Sequence, residues 1–167
     1  RCRLVGSEMC IRDSTSAVIQ IGNEKIENST WNNNFINKNP FFSPSKSILK
    51  KWEDLILTHR KKGSSLGAVI EVRVSNCPVG IGEPIYQKLD SELSKAIMSI
   101  NAVKGIEFGT GFDLVNYDGT NGSDQINFEN KKIKFHTNHA GGILGGISSG
   151  QDIICLLYTS DAADEAK

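Results

Sequence analysis

The stretch that most constrains this chain of 167 residues is Thr137–Gly150, TNHAGGILGGISSG, where five of the ten residues from Gly141 to Gly150 are glycine. Glycine at that density is unfavourable in a helix interior and leaves backbone N–H groups unshielded. It also lets another group come within contact of the main chain. A phosphate or a planar ring system uses such a backbone, and so does a tight crossing of helices and strands; the residues alone leave both open. The spacing fits neither the G-x-G-x-x-G dinucleotide fingerprint nor a phosphate loop, because no Gly-Lys-Ser/Thr follows.

Around this stretch the patterning predicts alternating strands and helices. Residues 17–21, AVIQI, read as a short strand, and the Asn-rich run 28–39 reads as a loop. Ser43 is expected to cap a helix with Pro44 in its first turn. Ile48, Leu49, Trp52, Leu55, Ile56 and His59 follow at helical spacing, and Lys61-Lys62-Gly63 end it. His59 reads as a packing residue or a partner of the helix dipole. Residues 68–75, AVIEVRVS, alternate as a half-buried strand with Ala68, Ile70, Val72 and Val74 inward and Glu71 and Arg73 outward. A turn-rich link leads to a second helix carrying Leu89, Leu93, Ala96, Ile97 and Ile100. Residues 103–108 and 112–117 read as strands joined through Gly109-Thr110-Gly111, and two more strands near 125–128 and 132–136 are expected to pair as a hairpin. This order predicts an α+β fold with a largely antiparallel sheet.

Nineteen basic residues balance nineteen acidic ones, which excludes polyanion binding by bulk charge; no nucleic-acid partner is expected. No apolar run approaches the roughly 20 residues of a membrane-spanning helix, so no membrane partner is expected either. The four cysteines, Cys2, Cys10, Cys77 and Cys155, have neither disulfide-framework nor metal-ligand spacing, which fits a reducing, cytoplasmic setting. The two ends lack the periodicity of the middle. Residues 1–14, RCRLVGSEMCIRDS, and 156–167, LLYTSDAADEAK, resemble translated sequencing-adaptor read-through. They are expected to add nothing to the core, leaving 15–155 as a partial domain.

Read together, several motifs are far more specific than any one alone. GIGEPIYQKLDSELSKAIMSINAVKGIEFGTGF and TNHAGGILGGISSGQDII, within residues 78–154, closely resemble chorismate synthase, and NPFFSP at 39–44 carries the resemblance weakly back to about residue 17. The resemblance implies a β-α-β sandwich with helices between antiparallel sheets, usually in a homotetramer. It implies a lyase that eliminates phosphate from 5-enolpyruvylshikimate 3-phosphate in a 1,4-anti sense to give chorismate, using reduced FMN. Asn101 and Ala102 match the family's Asn-Ala flavin contact, and Gly145 matches a backbone flavin contact. Asn138, Ala140, Gly141 and Gly142 are expected to shape the same wall, and all these residues are expected to line one concave surface. Ile81-Gly82-Glu83-Pro84 matches the family's LGEP turn with Ile for Leu, and Glu83 is expected to orient that loop.

The family's two catalytic histidines and its Arg-Ser-Ser motif lie upstream of anything matched here. Its Lys-Pro-Thr-Ser-Ser motif lies downstream, where this chain turns into LLYTSDAADEAK. No catalytic acid or base is therefore assigned to this chain, and His136 and His139 are given no metal role. The competing reading is a small non-catalytic interaction domain whose glycine turn is purely structural.

Overall fold

The structure is a computed structural model and describes residues 13–129 and 132–160. In chain order its elements are β1 (Asp13–Ile21), β2 (Glu24–Lys25), α1 (Asn33–Ile36), α2 (Leu49–Lys61), β3 (Ala68–Ser75), α3 (Leu89–Met98), β4 (Val103–Phe108), β5 (Ile126–Glu129), β6 (Lys132–Phe135), β7 (Ile143–Leu144), β8 (Ile147–Ser148) and β9 (Ile153–Thr159). Single 3₁₀ segments lie at Asn28–Thr30 and Gly111–Asn116. Five strands form one antiparallel sheet in the order β2-β1-β3-β9-β4, and β5-β6 and β7-β8 are separate two-stranded ribbons. The fold is α+β with an antiparallel sheet, as the patterning predicts.

β9 explains why the sheet holds together. Its residues pair with β3 from Val74↔Ile153 to Ala68↔Thr159 and with β4 from Phe108↔Cys155 to Val103↔Thr159. Alternate side chains go to opposite faces. Leu156 and Tyr158 pack on the cluster built by Trp52, Ile48, Ile19, Ile21 and Val69, whereas Ile153 packs with Cys77 and Ile143 beside Leu89, Leu93 and Phe108. Trp52 is fully buried, its indole N–H donates to Glu24 O at 2.9 Å, and Phe41 meets its ring edge-on.

The sheet is thus covered on both sides, which changes the reading of β3. Glu71, expected to face water, is only 9% exposed. Arg73 Nε donates to its carboxylate, and the same guanidinium lies 4.2 Å from the centre of the Trp31 ring, so the buried charge is neutralised where it sits.

Three other expectations move. The helix starts at Leu49 rather than after a Ser43 cap. Ser43, Pro44 and Ser45 are buried in a turn centred on Asn39, whose amide donates to Phe35 O, Ile36 O and Ser43 O and whose oxygen accepts from Phe41 N and Ser43 N. Ser43 N is thereby spent on the turn, and its hydroxyl on Ser45. In place of the expected strand 112–117 the chain forms the 3₁₀ segment Gly111–Asn116, with Glu107 accepting from Phe112 N in its first turn. The Asn-rich loop contains the short helix α1, capped by the Asn32 side chain accepting from Asn34 N.

Strand pairing also crosses both expected domain boundaries. Asp13 and Ser14 pair with Ser75 and Val74, and β9 continues past Cys155 with Leu157 only 7% exposed. Residues 156–159 therefore do contribute to the core; residues 1–12 and 161–167 lie outside the described residues.

Leu157→Ala should lower the stability of the chain by about 2–5 kcal/mol in chemical denaturation, the cost of emptying a well-packed site. An unchanged midpoint would mean that Leu157 is not part of the packed core. Burial, and after it the negative charge of Glu71, pushes the Cys155 thiol up to about 11. Alkylation at about pH 8 should therefore spare Cys155 in the folded chain and reach it only after denaturation.

Candidate functional site

The glycine segment is tied to the turn that precedes α3. Leu144-Gly145-Gly146-Ile147 closes β7 on β8 through a two-residue turn with φ of 60° at Gly145 and 87° at Gly146. Positive φ at both central positions is the type I′ hairpin that glycine pairs favour. Gly80 N donates to Ser148 O, Ser148 N to Ile81 O and Leu89 N to Gly146 O, at 2.8–3.0 Å. The buried Ser148 hydroxyl accepts from Ile81 N at 2.8 Å and donates to Pro78 O at 2.6 Å. GIGEP and ILGGIS are thus one hydrogen-bonded unit at the N-terminal end of α3. Glu83 is exposed, and its backbone N–H closes the loop onto Gln87 O.

The N–H groups at the start of the segment are already occupied. Asp124 accepts from His139 N at 2.6 Å, from Ala140 N at 2.9 Å and from the Thr137 hydroxyl at 2.7 Å. Gly141 N donates to Asn138 O, Gly142 N to Asn138 Oδ1 and Ile143 N to Ala140 O. Burial alone would raise the Asp124 pKa. The hydrogen bonds from Ala140, Thr137 and His139, with the nearby His139 charge, hold it below its ordinary value of 3.8. A phosphate would have to displace this carboxylate to reach those amides.

Gly141 and Gly142 are buried packing positions rather than a ligand wall. A Cβ on Gly141 would lie 2.3 Å from Gly109 N, because the turn crosses the end of β4 there. At Gly145, by contrast, a Cβ would meet nothing within 4 Å. This exposed hairpin tip is where the segment offers open backbone.

Asn101 is exposed in the turn after α3. Ala102 follows in the left-handed conformation, with φ of 67°, and accepts from Ser160 N at 3.0 Å. Gly146, next to Gly145, contacts Leu89 at the start of α3, whereas Asn101 and Ala102 follow its end. The ten residues of α3 span about 15 Å. The Gly145 hairpin thus sits at the start of α3, and Asn101–Ala102 follow its end. Two shallow depressions, lined by Gly22, Gly67, Ala68, Val69, Tyr158 and Thr159 (about 280 Å³) and by Ser14, Thr15, Ser16, Asn33, Ile36 and Asn37 (about 240 Å³), include none of the three residues.

The histidines diverge. His139 Nδ1 meets the Thr110 hydroxyl at 2.8 Å and its ring lies against Tyr117, while His136 Nε2 meets Asn127 Nδ2 at 2.6 Å on the β5-β6 ribbon. His59 Nδ1 is 2.9 Å from Leu55 O within α2. Among the described residues no group of three or more His, Cys, Asp or Glu could hold a metal ion. Asp124, Thr110 and Ser148 were not singled out by the sequence. Their partners lie 13–16, 29 and 67–70 residues away, beyond the reach of any local pattern.

Comparison with known proteins follows the same motifs. The sequence profile of the family described as "Chorismate synthase" matches residues 7–162. A chorismate synthase of Pelagibacter ubique (strain HTCC1062) is 54% identical over 138 residues, covering 83% of this chain and 38% of the relative. One from Parvibaculum lavamentivorans is 47% identical over 147 residues, covering 88% of this chain and 40% of the relative. A solved structure described as "Crystal Structure of Chorismate Synthase" superposes with a TM-score of 0.84 at 26% identity, over 92% of this chain and 50% of that one. The chain thus spans about two fifths of the length of these curated relatives. From its sequence and its fold alike, it belongs to the chorismate synthase family.

Proposed function

We propose that this chain is the central part of an enzyme that eliminates phosphate from 5-enolpyruvylshikimate 3-phosphate to form chorismate, with reduced FMN as cofactor, in the cytoplasm and as a homotetramer. The observation that carries the reading is the joining of GIGEP and ILGGIS, two motifs some sixty residues apart in sequence, into one unit by Ser148 and its neighbours. The rival reading, a non-catalytic domain with a structural glycine turn, accounts for the packed Gly141 and Gly142 but not for the family match.

The residues named for the flavin suit it chemically. Asn101 presents an exposed amide able to donate and accept, Ala102 a small side chain, and Gly145 an N–H beside open space. The end of β9 meets Ala102 at Ser160, and the family's Lys-Pro-Thr-Ser-Ser motif is expected from this strand end onward. A flavin touching both ends must reach along α3. When bound, the reduced flavin supplies electron density as the phosphate leaves, and the chain's part is to orient it. No proton transfer is given to His59, His136 or His139. Free, buried Cys77 and Cys155 suit a reducing compartment, and no helix among the described residues is long and apolar enough to cross a membrane.

The decisive experiment rejoins the chain to its flanking coding sequence. Assayed anaerobically with FMN and a reductant, the extended protein should release phosphate and chorismate from the substrate. The isolated chain of 167 residues should show no turnover, since it lacks the family's acid and base histidines. Absence of phosphate release from the extended protein would overturn the reading. In the same protein Gly145→Asn should weaken FMN binding about tenfold while leaving the thermal midpoint nearly unchanged, because asparagine tolerates positive φ and the added atoms enter open space. Undiminished FMN affinity would remove Gly145 from the site.

A further inference from the structure

The glycine segment is held by several side chains, and among the described residues Asp124 alone takes two of its consecutive backbone amides. Asp124 lies in the polar loop that follows the 3₁₀ segment, outside every strand and helix. Its two oxygens accept three hydrogen bonds, two from consecutive backbone amides at His139 and Ala140 and one from the Thr137 hydroxyl. The same turn is fixed from the other side. Gln151 Nε2 donates to Thr137 O at 2.6 Å, Asn138 Nδ2 to Asp152 O at 2.8 Å, and Ile154 N to Gly141 O at 3.2 Å. Those bonds anchor the turn to the start of β9, while Asp124 anchors it to the loop beyond β4. Thr110 adds a second tie, since its N–H donates to His139 O at 2.9 Å and its hydroxyl meets His139 Nδ1. Ile143, the first residue of the hairpin that carries Gly145, follows directly.

We propose that Asp124 is the positioning residue of the glycine segment: its carboxylate fixes the turn 137–142 and thereby sets how the Gly145 hairpin is presented to a ligand. The carboxylate is suited to this because an ionised acceptor binds amide N–H groups about twice as strongly as a neutral one. Asparagine in its place would keep one acceptor and set an amide donor against another N–H. Among the described residues, the one charge that bears on Asp124 is that of His139, across the turn. The folded carboxyl is held below its ordinary 3.8, so its contribution is fully present above that value. It is lost as the pH falls through the lower folded value.

The test is amide hydrogen exchange on the whole chain, with Asp124→Asn and Asp124→Ala beside the parent. Asp124→Ala should cut the protection of His139 and Ala140 about tenfold or more and loosen the amides of 143–148, with protection in β3 and β9 unchanged. Asp124→Asn, which retains an acceptor and the parent's shape, should fall between the two. On acidification the parent should lose the same protection in one step below the ordinary carboxylate range, and the variants should show no such step. Full protection of 139–148 in both variants would overturn the proposal. So would an equal loss across the whole sheet, since that marks general stability rather than placement. The functional consequence rests on the flavin reading, so FMN titration of each protein is the second readout. Parent protein that ignores FMN while showing the local exchange pattern counts against the flavin reading alone. FMN bound equally by parent and Asp124→Ala, despite a loosened hairpin, counts against the positioning role.

Discussion

The fold depends on β9 lying between β3 and β4. Without it β4 has no partner in the sheet, and the α3–β4 unit is joined to the β1–β3 pair only by loops. The strand satisfies both of its edges with backbone hydrogen bonds and sends side chains to two separate clusters. Its composition, Ile-Ile-Cys-Leu-Leu-Tyr-Thr, is what a strand paired on both sides and covered on both faces requires: apolar at nearly every position rather than alternating.

Where β9 begins, the glycine segment crosses the end of β4, and the contact is backbone on backbone. A methyl group at Gly109 would sit 2.1 Å from His139 O, so this crossing exists only without a side chain. The turn then returns through the β7-β8 hairpin to the 78–84 loop, where the Ser148 hydroxyl satisfies two main-chain groups at once, Ile81 N and Pro78 O. The glycines do two different jobs within ten residues: some permit contact with protein, and Gly145 is left with open space.

Local patterning made part of this legible. The alternation of AVIEVRVS, the apolar spacing of Leu89, Leu93 and Ile97, and the hairpin flanking Glu129-Asn130-Lys131 are properties of neighbouring residues, and each element formed there. Alternation does not reveal whether the second face of a strand is covered, and so it points Glu71 to water although Glu71 is buried and paired with Arg73, which itself lies over Trp31. Ser43-Pro44 has the signature of a helix start, but Asn39 competes for the same backbone through five hydrogen bonds. The site was legible as motifs rather than as a place. The sequence named Asn101, Ala102 and Gly145 but held no information that the Gly145 hairpin docks at the start of α3 while the other two follow its end. The end of α3 and the turn after it leave Met98 and Ile100 46% and 50% exposed, outside the cluster that Leu89 and Leu93 join. That outward surface belongs to a chain covering two fifths of its relatives' length.

The order of the strands has a consequence for synthesis. Ala68 pairs with Thr159, 91 residues later, so at typical translation rates β3 waits on the order of ten seconds, and β4 about half as long, before the strand that joins them leaves the ribosome. During that interval β1 and β3 can pair across the intervening β2, α1 and α2, because their pairing needs nothing downstream. The other edge of β3 and both edges of β4 stay open, with Ile70, Val72, Ile106 and Phe108 along them. Open apolar edges recruit other strands, including those of neighbouring nascent chains. The interval between translating β4 and translating β9 is therefore when this fold is most exposed to misassembly, and when a holding chaperone would have most to shield.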